Sequence, residues 1–135
     1  MSSGRATLFY DSDCGLCRWT AAKIAAWDRH GAVRFVPLQD RAEADRLLGL
    51  MDEPTRMASW HLVTADGKVS SGGRGVAPLL RLLPGGAPAA RLASAAPWLT
   101  DRAYAFVAGH RFALGRLLSA GARARADGRL RARMR

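Results

Sequence analysis

A change of hydrophobic period around a pair of cysteines constrains this chain more than any other feature. Ala6-Thr7-Leu8-Phe9-Tyr10 is a short apolar run of strand formers, ended by Asp11-Ser12-Asp13. From Cys14 to His30 the pattern becomes helical, with Cys17, Ala21, Ile24 and Ala25 along one side at three- and four-residue spacing. Gly31 is placed to stop that helix as a left-handed cap. Val33-Arg34-Phe35-Val36 reads as a second strand, closed by Pro37, which cannot donate to a ladder. Strand, helix and strand within about 30 residues form a βαβ unit, with a right-handed crossover and parallel pairing. The fold class expected is α/β.

The remaining chain adds a hairpin and more helices. Arg41 to Leu50 reads as a helix. Trp60-His61-Leu62-Val63-Thr64 is a strand, and Ala65-Asp66-Gly67-Lys68 turns it back into Val69. Val76 to Leu83 is a short helix stopped by Pro84-Gly85-Gly86, and Ala87 to Trp98, broken by Pro88 and Pro97, is a weak helix or loop. A last helix begins at Thr100, an N-cap with Asp101 in its first turn and a staple between Leu99 and Tyr104. Its apolar stripe is Ala103, Phe106, Val107, His110, Leu114, Leu117 and Leu118.

A length of 135 residues allows one domain, placed at 1–120, with residues 121–135 as a basic appendage. The formal charge of +10 is uneven: from Arg111 onward there are eight arginines against Asp127 alone. That end lacks interleaved aromatics for base stacking and an amphipathic face beyond Leu118. It is expected to be a solvated, flexible tail rather than a contact for nucleic acid or an anionic membrane. No stretch approaches the roughly 18 apolar residues of a membrane span. The opening MSSGRATLFYDSD lacks the apolar run of a secretory signal, so a reducing cytoplasm is the expected compartment.

The chemistry concentrates in Cys14-Gly15-Leu16-Cys17, just after a strand and at the opening of a helix. This spacing brings two sulfurs onto one turn, close enough to bridge with little backbone movement. The helix N-terminus turns unpaired N–H groups and a partial positive charge toward the first cysteine, favouring its thiolate, the nucleophile of disulfide exchange. Cys14 is therefore expected to be the more exposed and more acidic sulfur, attacking first. Cys17, one turn further in, resolves the mixed disulfide. Zinc is the competing use of such a pair. With two cysteines in the chain and His30, His61 and His110 scattered singly, four ligands are not evident.

With these residues in view, Phe9-Tyr10-Asp11-Ser12-Asp13-Cys14-Gly15-Leu16-Cys17 resembles the D-x-x-C-x-x-C signature of the DCC family of thiol-disulfide oxidoreductases. Arg34-Phe35-Val36-Pro37-Leu38-Gln39-Asp40, the hairpin at Asp66-Gly67 and Gly72-Gly73-Arg74-Gly75-Val76 also fit, and the likeness covers roughly residues 6–118. Ser12 stands where the family often has glycine, and Gly15 where proline is common. The resemblance implies a thioredoxin-like fold, a mixed sheet flanked by helices with an extra C-terminal helix. It also implies a Cys14/Cys17 dithiol that exchanges with a disulfide-containing protein or a small thiol and is recycled by an unidentified reductant. No organic cofactor is implied, because the dithiol itself carries two electrons. In folds of this kind a cis-proline faces the dithiol; the matching position is Ser59, beside Trp60, and a trans bond is expected there.

Individual residues carry competing readings. Asp11 joins the cysteines as a catalytic candidate through the family motif, yet an aspartate after a strand commonly holds the turn through backbone N–H groups, and that role is preferred. Asp13 is expected to cap the helix. Trp19 and Trp27 read as packing residues, and His110 as a hydrogen-bonded core histidine. Besides exchange, the chain could serve as a thioredoxin-like binding module, or hold a metal through the cysteine pair.

Overall fold

The computed structural model describes residues 4–49 and 51–133. Four strands, β1 (Ala6–Tyr10), β2 (Val33–Pro37), β3 (His61–Val63) and β4 (Val69–Ser71), form one sheet in the order β2-β1-β3-β4. β1 pairs in parallel with β2, Leu8 opposite Phe35, and antiparallel with β3, Leu8 opposite Leu62. β4 closes the hairpin, with Leu62 opposite Ser70. The sheet is thus mixed, as a βαβ unit joined to a hairpin must be.

Strand alternation divides the core. Leu8, Phe35 and Leu62 face one side, where α1 (Gly15–Trp27) brings Ala21, Ala22 and Ala25 against them. Phe9, Val36 and Val63 face the other, covered by Ala44 and Leu48 of α2 (Arg41–Leu48). Side chains as fully buried as Phe9, Phe35 and Leu62 each stabilise the fold by about 1.5–3 kcal/mol. Helices on both faces of a mixed sheet make the fold α/β and consistent with the thioredoxin-like class.

Several local expectations need correcting. α1 ends at Trp27 rather than His30 because the buried Asp28 carboxylate accepts the N–H groups of Ala32 and Val33, at 2.9 and 3.0 Å. Gly31, at φ +67°, turns the chain into β2 without being the cap. α2 ends at Leu48; Leu50, the expected last residue of that helix, lies outside the described residues. A further helix, α3 (Glu53–Ala58), precedes β3. A 3-10 turn at Gly72–Gly75 then leads into α4 (Val76–Leu82).

The alanine-rich stretch is α5 (Ala87–Ala95), since Pro88 falls in its first turn where no donor is needed. For the same reason α6 (Pro97–Gly109) starts at Pro97, ahead of Thr100. Thr100 is interior, and its hydroxyl donates to the carbonyls of Ala93 and Ala96 instead of capping. The expected long stripe is broken at His110, where α7 (Arg111–Arg116) begins, and Phe106, Val107 and Leu117 lie exposed. His110 is itself exposed and hydrogen-bonds the Phe106 carbonyl through Nδ1 at 2.8 Å.

The largest correction concerns the basic end. Instead of a solvated tail, residues Ala120–Arg133 form α8, which packs along α1 and buries Ala126 and Leu130 in the core. Arg133 reaches Asp28 at 2.7 Å and also donates to the carbonyls of Ala25, Asp28 and Val33. Arg18 of α1 pairs with Asp127 at 2.9 Å. A helix with few apolar residues is held here by arginines that satisfy buried acceptors.

Candidate active site

The turn between β1 and α1 is held by side chains on both sides. Asp11 is buried; its Oδ1 accepts the Asp13 N–H at 2.9 Å, an Asx turn, and the Gln39 amide at 2.8 Å. Gln39 in turn accepts from the Ser12 N–H and hydroxyl, at 3.0 and 2.7 Å, and donates to Asp13 at 3.3 Å. One amide thus ties the loop after β2 to three consecutive residues ahead of the dithiol. With Asp13 held in the turn, the helix cap falls to Cys14, not to Asp13. The Cys14 sulfur accepts the backbone N–H of Cys17 at 3.3 Å.

The exposure of the two sulfurs is the reverse of the sequence expectation. Cys14 has no exposed surface, while Cys17 is half-buried. The cap position turns the first side chain inward, and the C-terminal helices lie over the same turn. A Cβ on Gly115 of α7 would sit 3.3 Å from the Leu16 nitrogen, and one on Gly15 would sit 3.6 Å from the Arg123 stem of α8. The Cys17 thiol is pushed up to about 12, first by burial and then by its hydrogen bond to, and proximity to, Cys14. Arg111 pulls the other way. A thiol raised that far stays protonated at neutral pH, which makes Cys17 the poorer nucleophile of the two for a first attack.

An apolar groove of about 740 Å³ opens between α1, α4, α5 and α6, and Cys17, Asp11, Ser59 and Trp60 all line it. Of the five candidate site residues read from the sequence, Asp11, Cys14, Cys17, Ser59 and Trp60, Cys14 alone is not on its wall. The Ser59 hydroxyl donates to the Trp60 carbonyl at 3.2 Å, and the Trp60 N–H donates to the Tyr104 hydroxyl at 3.4 Å. Burial raises the Tyr104 phenol above its usual range, so it stays a neutral donor and acceptor. Trp27, read as packing, also lines the groove, and its indole N–H donates to the Pro84 carbonyl at 2.8 Å.

Three contributors escaped the sequence reading. Gln39 lies in the quoted Arg34–Asp40 segment without a spacing that marks it. Tyr104 appeared as a staple residue. Arg111, grouped with the basic end, stands 3.8 Å from the Asp11 carboxylate. Among the described residues no group of three or more His, Cys, Asp or Glu side chains is placed to hold a metal ion. All described peptide bonds are trans, including those of Ser59 and Trp60.

A family model described as DCC1-like thiol-disulfide oxidoreductase matches residues 8–117, which is most of the chain. No curated protein and no solved structure gives a match.

Proposed function

The chain belongs to the DCC1-like thiol-disulfide oxidoreductase family, and from that premise we propose that its Cys14/Cys17 pair reduces a disulfide in a protein or small-molecule substrate. The observation that carries this reading is the hydrogen bond from the Cys17 N–H to the Cys14 sulfur at the mouth of α1. A donor at that position stabilises a thiolate on Cys14 specifically. Cys14 attacks one sulfur of the substrate; a Cys14–substrate bond forms, the substrate disulfide breaks, and the departing thiolate takes a proton. Cys17 then releases its proton and attacks the Cys14 sulfur. The internal disulfide forms and the second substrate thiol leaves.

Two electrons and two protons pass to the substrate, and a cellular thiol or dithiol returns them. Cys14 lacks exposed surface, so attack follows a local opening of the first turn of α1. Asp11 is a positioning residue, holding the turn through Asp13 and Gln39. Ser59 and Trp60 form the substrate-facing loop. A reducing cytoplasm is the compartment that fits this direction.

The test is a glutathione redox titration of the whole protein. Two free thiols should disappear and return together, reversibly, with one midpoint. Thiols that fail to pair, or that titrate independently, refute the exchange reading.

A further inference from the structure

Nine large apolar side chains are exposed among the described residues, and seven of them fall between Leu92 and Leu117. Monomeric soluble proteins seldom concentrate bare apolar surface in this way without a use for it. The pattern along α6 and α7 is specific. Trp98, Arg102 and Phe106 follow one another at four-residue spacing on one line of α6, and Phe112 and Arg116 repeat that spacing on α7. Trp98 and Phe106 are each 64% exposed, a level at which neither contributes to the core. Two contacts lie within this region: the Phe106 ring is 4.5 Å from His110, and the guanidinium of Arg111, which also faces Asp11 at 3.8 Å, is 5.0 Å over the Phe112 ring.

Charge selects the occupant. Between residues 84 and 118 the ionised side chains are Arg91, Arg102, Arg111, Arg116 and a lone acid, Asp101. We infer that the α6–α7 face docks the protein on an anionic lipid bilayer, its rings entering the headgroup boundary and its guanidinium groups reaching lipid phosphates. Aromatic rings alternating with long cationic side chains suit that boundary, where one end of each group is apolar and the other wet. Anionic lipid attracts each nearby arginine, and the attraction is sensitive to salt. A second copy fits poorly, because apposing two such faces would set arginines against arginines. No helix among the described residues is long and apolar enough to cross a membrane, so the contact is peripheral. Leu99 and Val107 belong both to this face and to the wall of the groove that holds Cys17. Docking therefore sets that groove at the membrane surface, whatever chemistry it performs.

The experiment is co-sedimentation of the full chain with phosphatidylcholine vesicles, with and without phosphatidylglycerol, at low and high salt. Binding should require phosphatidylglycerol and weaken at high salt. Replacing Trp98→Ser and Phe106→Ser together should lower the affinity by about tenfold or more. The melting temperature should stay unchanged, since both side chains are exposed. Arg125→Gln with Arg131→Gln, on the exposed side of α8, should leave binding within about twofold. Absence of binding to the anionic vesicles at low salt overturns the proposal. So does binding that the α8 pair abolishes and the α6 pair leaves untouched. A concentration-dependent dimer in sedimentation velocity, made monomeric by the α6 pair, assigns the face to a second copy and overturns it equally.

Discussion

The guanidinium of Arg133 lies 2.7 Å from the carboxylate of Asp28, a side chain with no exposed surface, across 105 positions of sequence. The same carboxylate accepts two backbone N–H groups at the start of β2. One ion pair therefore joins the end of α8 to the junction of α1 and β2, and a buried carboxylate left without its cation is costly.

Arg133→Ala should destabilise the protein by about 3 kcal/mol, seen as a lower urea midpoint with an unchanged m-value. Deleting residues 120–135 should cost more, because Ala126 and Leu130 leave the core as well. It should also speed alkylation of Cys14, whose turn lies beneath α7 and α8. A truncation that melts like the parent would show that α8 contributes nothing to the fold.

The two sulfurs should respond differently to pH. In Cys14→Ser, the remaining Cys17 keeps the burial that raises it most but loses the bond and charge of Cys14. Its alkylation should still rise roughly tenfold per pH unit from pH 7 to 9, as expected of a thiol titrating above that range. In Cys17→Ser, Cys14 should form mixed disulfides that accumulate, because nothing resolves them. Mass spectrometry of the adducts and rate-pH profiles check both. A Cys17 profile that flattens below pH 8 would contradict the protonated thiol.

Gln39 and Asp11 separate by what they hold. Gln39→Ala removes the bonds to Asp11, Ser12 and Asp13 and should cost about 1–3 kcal/mol, with slower exchange. Asp11→Asn keeps an oxygen for the Asp13 N–H and for Gln39, so exchange should fall by less than about tenfold. Stopped-flow reduction of a small disulfide, beside thermal melts, measures both. A large rate loss in Asp11→Asn with unaltered melting would make Asp11 the base instead.

His61 supplies a pH dependence of stability. It is fully buried, with Nε2 donating to the Arg56 carbonyl at 2.8 Å and Nδ1 accepting from the Ser71 hydroxyl at 2.6 Å. Burial lowers its pKa below the ordinary 6.5, so the unfolded chain binds the proton more readily than the folded one. The stabilisation is whole above about pH 6.5 and declines as the pH falls below it. Urea melts at pH 7.5 and 5.5 should show the loss, and His61→Gln should flatten it.

The sequence made β1, the start of α1 and β2 legible because period-two and period-three-to-four patterns meet there at strong turn signals. The cysteine pair was legible for the same reason. α8 was not. Its apolar anchors, Ala126 and Leu130, are one turn apart among arginines, and its strongest anchor is polar. Apolar periodicity does not register an arginine that satisfies a buried carboxylate. Thr100 misled because Pro97 starts the helix three residues earlier, leaving Thr100 inside it with its hydroxyl donating back to the Ala93 and Ala96 carbonyls. The exposure of the sulfurs was inverted because helix-face geometry says where Cys17 points, but not what a later helix lays over Cys14.

A sulfur with no exposed surface is also a sulfur that hydrogen peroxide does not meet. Thiolates on open surfaces climb to sulfinic and sulfonic acids, a loss that disulfide exchange cannot reverse. Here the sulfur proposed to attack is the covered one, and its half-buried neighbour is held as a protonated, less reactive thiol. Over-oxidation is then limited to the brief fraction of time the turn stands open, so the same cover that slows the first encounter with substrate also lengthens the working life of the pair.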